Sequence, residues 1–198
     1  PPGTVVEIPG KGDKPITVTI GEDGKGKVPN SELPDGEVTK PGKITEPGKP
    51  SVEVPEVTTP AKVTPTVDLE QDPKTGDVTV TPKRPDGSTY PPGTVVEIPG
   101  KGDKPITVTI GEDGKGKVPN SELPDGKVTK PGKITEPGKP AVEVPNVTTP
   151  AKVTPTVDLE QDPKTGDVTV TPKRPDGSTF PPGTVVEIPG KGDKPITV

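Results

Sequence analysis

The side chains able to do chemistry in this chain are serines, lysines, carboxylates and a few amides, because its 198 residues include neither histidine nor cysteine. The usual general base, the commonest transition-metal ligand, thiol nucleophiles and disulfides are thereby excluded. Ser31, Ser88, Ser121 and Ser178 have no histidine to activate them, and no lysine or carboxylate stands beside them in a recognisable catalytic pattern. No catalytic residue and no cofactor is expected, and the chain is not expected to be an enzyme.

Two acidic groups have the oxygen chemistry that calcium takes: Asp68, Glu70, Asp72 and Asp77, and separately Glu112 and Asp113. Neither has EF-hand spacing, so solvated turns are the main reading and metal ligation stays open. PGKGDKP (99–105) contains Gly-x-Gly but lacks the Lys-Ser/Thr ending of a phosphate-binding loop, the third glycine of a dinucleotide fingerprint, and a following helix. It predicts a turn. Lysines near Asn120 and a strand carboxylate raise an intramolecular Lys–Asn amide crosslink, without a positive signature for it. PGKP (47–50) has the spacing of an SH3-type ligand, and Asn146-Val147-Thr148 is a glycosylation sequon in one copy where the other has Glu56. Neither needs a partner to explain it.

Only 23% of the chain is apolar and its aromatics are Tyr90 and Phe180, so one large core is out of reach. The 34 prolines and 25 glycines would signal low complexity or disorder unless a period accompanied them. One does. PPGTVVEIPG begins at residues 1, 91 and 181, a period of 90 residues. Aligning 1–108 with 91–198 leaves four differences: Glu37/Lys127, Ser51/Ala141, Glu56/Asn146 and Tyr90/Phe180. Near-identical copies suit a job that scales with copy number, such as length or valency, better than one precise site. The net charge of -5 comes from interspersed charges, which argues against nucleic acid or an anionic membrane as partner. No long apolar run, signal peptide or sorting motif is present, and the first eighteen residues return as the last eighteen, as expected of a fragment cut within repeats.

Within one repeat, period-2 alternation predicts strands: Val67 and Leu69 share one face, Val78 and Val80 another, and Ile106, Val108 and Ile110 a third. DPKTG (72–76), RPDG (84–87), PGKGDKP (99–105), GEDGKG (111–116) and LPDG (123–126) predict the turns between them. The expected fold class is all-β: tandem small β-sandwich-like modules joined by extended proline-rich struts, an elongated rod. The boundaries are a partial module at 1–36, a strut at 37–65, a complete module at 66–126, a strut at 127–155 and a partial module at 156–198. Tyr90 and Phe180 are the expected large core or corner side chain of each copy. In the struts, prolines five apart (Pro50, Pro55, Pro60, Pro65) remove donors from alternate edges and argue against a central strand. Polyproline II, or brief pairing through SVEV and EVTT, remains. Residues 156–198 lack the last strands of a module while 1–36 supply them, so ordered end-to-end pairing of neighbouring chains in a crystal, by strand complementation, is expected.

The phrase DPKTGDVTVTPKRPDGSTYPPGTVVEIPG, repeated in tandem and followed by an EPGKP connector, resembles the stalk repeats of Gram-positive cell-wall-anchored surface proteins. Staphylococcal and streptococcal adhesins of the alpha-like/Rib and accumulation-associated biofilm types are the nearest in style. The resemblance implies an extracellular, cell-wall-anchored stalk that projects a distal ligand-binding region, with host or cell-surface ligands bound outside this chain. It also implies, as an alternative, homophilic contact between repeats for intercellular adhesion and biofilm accumulation, through exposed strand edges or charged faces. Zinc bridging of the kind that draws on histidine does not fit a chain without histidine.

Overall fold

The computed structural model describes residues 1–198 and divides them into two units, Pro1–Val63 and Thr64–Val198. In the first unit, β1 (Val5–Ile8), β2 (Ile16–Thr19), β3 (Val38–Thr45) and β4 (Val52–Thr59) form one antiparallel sheet in the order β2-β1-β3-β4.

The second unit contains a complete two-layer module. Its strands are β5 (Thr66–Gln71), β6 (Val78–Lys83), β7 (Val95–Ile98), β8 (Ile106–Thr109), β9 (Gly116–Val118), β10 (Val128–Thr135) and β11 (Val142–Thr149). One sheet runs β5-β6-β9 and the other β11-β10-β7-β8, with every pairing antiparallel. The alternation in the sequence becomes the core: Val78 and Val80 face Val96, Ile98, Ile110 and Ile134 within one buried cluster, and Leu123 closes it. Val67 and Leu69 pack against its side, and Tyr90 is buried as expected of the one large side chain. Beyond the module, β12 (Thr156–Gln161) and β13 (Val168–Lys173) pair over six positions, and β14 (Glu187–Ile188) pairs with β15 (Ile196–Thr197).

The all-β class and the sandwich hold, but the struts do not. Residues 37–65 and 127–155 contain the longest strands of each copy, β3 with β4 and β10 with β11, and β10 lies in the middle of its sheet. The module therefore continues past residue 126 to Thr149, and the first unit is a sheet rather than a fragment that stops at residue 36. The prolines are accommodated by position. The β10–β11 register shifts between Lys130 and Gly132, so Pro131 faces the two-residue excess of Pro145 and Asn146 at a β-bulge, where the ladder is already interrupted. Pro140 lies just outside the strands, after the turn closed by the Lys139 N–H on the Glu136 carbonyl at 3.1 Å. Pro82, in the central strand β6, lies beyond the reach of β9, which pairs only with Val78–Val80. At the bulge a residue larger than glycine would not fit: a Cβ on Gly132 would stand 2.6 Å from the Glu97 carbonyl oxygen and 2.9 Å from Val147 Cγ2.

A second difference is β9. The sequence pattern assigns 111–116 to a turn and places no strand at residues 117 and 118, yet Gly116–Val118 pairs with Val78–Val80 and buries Val118. The same residues in the first copy, Gly26, Lys27 and Val28, form no strand in a unit that contains no counterpart of β6.

Candidate functional site

The polar residues singled out in the sequence are mostly engaged in holding turns. Ser88 donates its hydroxyl to Asp86 Oδ1 at 2.7 Å and its backbone N–H to the same oxygen at 3.0 Å. That hydroxyl hydrogen bond, joined by the backbone one, holds the Asp86 carboxyl below its ordinary range. Ser121 offers its backbone carbonyl to the Lys101 ammonium at 3.2 Å. The two acidic groups are dispersed. Asp68 pairs with Lys83 at 3.4 Å, Asp72 accepts the Lys74 N–H at 2.8 Å, Asp77 accepts the Asn120 N–H at 2.9 Å, and Asp113 accepts the Lys115 N–H at 3.0 Å. No three carboxylates converge on a point a cation could occupy. The Gly-x-Gly loop is a turn closed by the Lys104 N–H on the Lys101 carbonyl at 3.0 Å. It borders an open groove of about 310 Å³, where Lys130 and Asp103 stand 3.5 Å apart. Asn146 is exposed at the bulge.

Two constellations that the sequence does not advertise organise the complete module. The first is a joint. Asn120, at the start of a short 3-10 turn, donates its side-chain N–H to the Val153 carbonyl at 2.7 Å and accepts the Val153 N–H at 3.0 Å. Its amide is thus committed to the connector rather than to a lysine. The Lys152 N–H bonds the Pro124 carbonyl at 2.7 Å, and Gln71 Nε2 bonds the Ala151 carbonyl at 3.0 Å. The connector PAKVTP (150–155) is therefore fastened to the body of its own module, leaving Thr154 and Pro155 between the pinned Val153 and the first residue of β12. Gly76, with φ at 82°, lets the β5–β6 turn approach this point; a Cβ there would lie 2.4 Å from Asn120 Oδ1. The first copy repeats the fastening, Asn30 with Val63 at 2.7 and 3.0 Å and Lys62 N–H with Pro34 at 2.7 Å.

The second is a strap between the two sheets. Arg84 follows β6 and Glu136 follows β10, and the guanidinium donates to both carboxylate oxygens, at 2.9 and 3.1 Å. Its flat face lies 4.5 Å from the centre of the Tyr90 ring. The Arg84 hydrogen bond holds the Glu136 carboxyl below the usual carboxylate range, the same bond raises Arg84, and burial raises the Tyr90 phenol. The sequence holds one clue: its only two arginines, Arg84 and Arg174, each stand six residues before the only two aromatics. The partner, 52 residues away, leaves no local signal.

A lowered folded pKa makes this strap a source of stability at neutral pH. That contribution is complete above the unfolded glutamate value and is lost as pH falls through the lower folded value. Glu136→Gln removes this component. In acid titrations followed by Tyr90 fluorescence, the stability gap between parent and Glu136→Gln is expected to be widest near neutrality and to close below the unfolded carboxylate pKa. A gap unchanged down to strongly acid pH would contradict the strap.

The order of the two sheets, with strands one, two and five of the module in one and strands three, four, six and seven in the other, is a Greek-key sandwich of immunoglobulin type with its fourth strand on the larger sheet. A family profile described as a bacterial Ig-like domain matches residues 1–62, 60–152 and 150–198. The chain belongs to this family of bacterial Ig-like domains.

The central match, 60–152, covers both sheets of the module, including β10 and β11, and runs into the fastened connector as far as Lys152. Ig-like domains of this family are structural and non-catalytic, and bacterial Ig-like domains are typically found outside the cell or on its surface. No helix here is long and apolar enough to cross a membrane. No curated protein and no solved structure matches the chain.

Proposed function

We propose that these bacterial Ig-like repeats are the stalk of a Gram-positive, cell-wall-anchored adhesin, projecting a distal ligand-binding region from the surface. The observation that carries this reading is the fastened connector. A spacer must resist folding back on itself, and a connector with two free residues, one of them proline, between a pinned Val153 and the next strand has little freedom to do so. Near-identical copies support it further, since each added module would add length without new chemistry.

Small-angle scattering tests this directly. A compact globule of 198 residues has a radius of gyration of about 16 Å, and the chain is expected to exceed it clearly, with a cross-section matching one sandwich. A value near the compact one would refute the stalk reading.

A further inference from the structure

We propose that consecutive modules clasp one another across the connector, the DPKTGD turn (72–77) of one module meeting the RPDGS turn (174–178) of the next through Lys74 and Asp176. The partner this surface fits is the following repeat of the same chain. The clasp goes beyond the stalk reading and does not rest on it. The path of the chain brings the two turns together. Val153, pinned to Asn120 at 2.7 and 3.0 Å, lies against the first turn, where a Cβ on Gly76 would stand 2.6 Å from Val153 Cγ2. Thr156 then begins β12 opposite Lys173 of β13, and the Arg174 N–H bonds the Ser178 carbonyl at 2.8 Å to form the second turn. The second turn therefore starts beside the connector that the first turn holds. Burial agrees with this path: Pro175 and Ser178 are partly covered, whereas Pro85 and Ser88, the same residues of the turn one repeat earlier, are exposed.

Charge selects the pair. In the first turn Asp72 accepts the Lys74 and Thr75 N–H groups and Asp77 accepts the Asn120 N–H, which leaves the exposed Lys74 ammonium as the charge facing outward. In the second, Lys173 pairs with Asp158 at 3.1 Å and Arg174 lies 4.6 Å over the Phe180 ring, which leaves Asp176. The Ser178 hydroxyl at 2.6 Å and its N–H at 2.9 Å hold the Asp176 carboxyl below its ordinary range, and the Lys74 ammonium lowers it further from across the connector. Asp86 has the same two bonds from Ser88, but the cation acting on it is Arg84 of its own turn. An exposed pair of this kind contributes little to the folding of either module. At the joint it matters, because with only Thr154 and Pro155 between the pinned Val153 and β12 a small bias selects among few orientations.

Because the chain has no cysteine, two can be introduced at exposed positions, Thr107→Cys on the complete module and Thr169→Cys on β13. Spin labels there read the distance distribution between adjacent modules of the whole chain by double electron–electron resonance. The labelled parent is expected to give a narrow distribution at about 0.01 M salt, where charges act over about 30 Å, and one about twice as wide at about 1 M, where their reach is about 3 Å. Lys74→Glu widens it to the same degree at low salt, and Lys74→Arg keeps it narrow. Lys117→Glu, an equal change of net charge at an exposed position of β9, leaves it unchanged. All three variants leave the Tyr90-reported unfolding as it is, because both lysine side chains are exposed. A parent distribution already broad at low salt overturns the proposal, and so does one indifferent to Lys74→Glu. Equal widening by Lys117→Glu would trace the effect to net charge and overturn the pairing.

Discussion

Replacing Ile134 by alanine is expected to remove about 2–5 kcal/mol from the stability of the complete module, whereas the same change at its sequence counterpart Ile44 leaves that module untouched. Ile134 is 1% exposed between the sheets and its removal leaves a cavity that the β5-β6-β9 sheet cannot collapse into, because β6 is held on both sides. Ile44 stands on a sheet with no covering layer in its unit, so there is no cavity to leave. The measurement is direct because Tyr90 is the only tyrosine and there is no tryptophan. Denaturant unfolding followed by tyrosine fluorescence therefore reports the complete module alone. Equal effects of the two substitutions on that signal would mean that the second sheet does not cover Ile134.

The second large effect is expected at the joint. Asn120→Ala deletes the partners of both backbone groups of Val153, a donor and an acceptor that are hydrogen-bonded at 3.0 and 2.7 Å. Two lost hydrogen bonds at about 0.5–1.5 kcal/mol each correspond to a local opening on the order of ten to a hundred times more frequent. Hydrogen exchange of the Val153 amide should accelerate by that factor, while amides of β6 and β10, deep in the two sheets, change little. The functional consequence comes from the same bonds: the connector gains free residues, and the scattering radius of the chain should fall as modules reorient. Acceleration spread evenly over the module would instead mark Asn120 as part of the general fold. Asn30→Ala in the first copy should reproduce the local effect at Val63, where the same pair of bonds is present.

Much of the module was legible because its strands obey a local rule. TVDLE, DVTVT and ITVTI alternate with period 2, and Pro-Asp-Gly and related groups between them specify where the chain turns; the Gly87 N–H on the Arg84 carbonyl at 2.8 Å closes one such turn. The repeat of 90 residues, read by simple alignment, carried the tandem organisation. The proline-rich segments misled for a physical reason. A proline forbids one hydrogen bond, but whether that bond is needed depends on the neighbour opposite, and a bulge at Pro131 or an edge at Pro145 removes the need. Likewise the strap and the joint unite residues 52 and 33 positions apart, and no pattern within either segment records the other.

By itself, then, the amino-acid sequence determined which residues alternate, where the backbone turns, and that no histidine or cysteine chemistry is present. What surrounds each residue was decided by tertiary structure alone. Gly116–Val118 is a strand beside β6 and the identical Gly26–Val28 is not; Ile134 is sealed and Ile44 is open. Equal sequences meet unequal fates because a strand's hydrogen bonds and a side chain's burial belong to the pair of surfaces that meet, not to either surface alone.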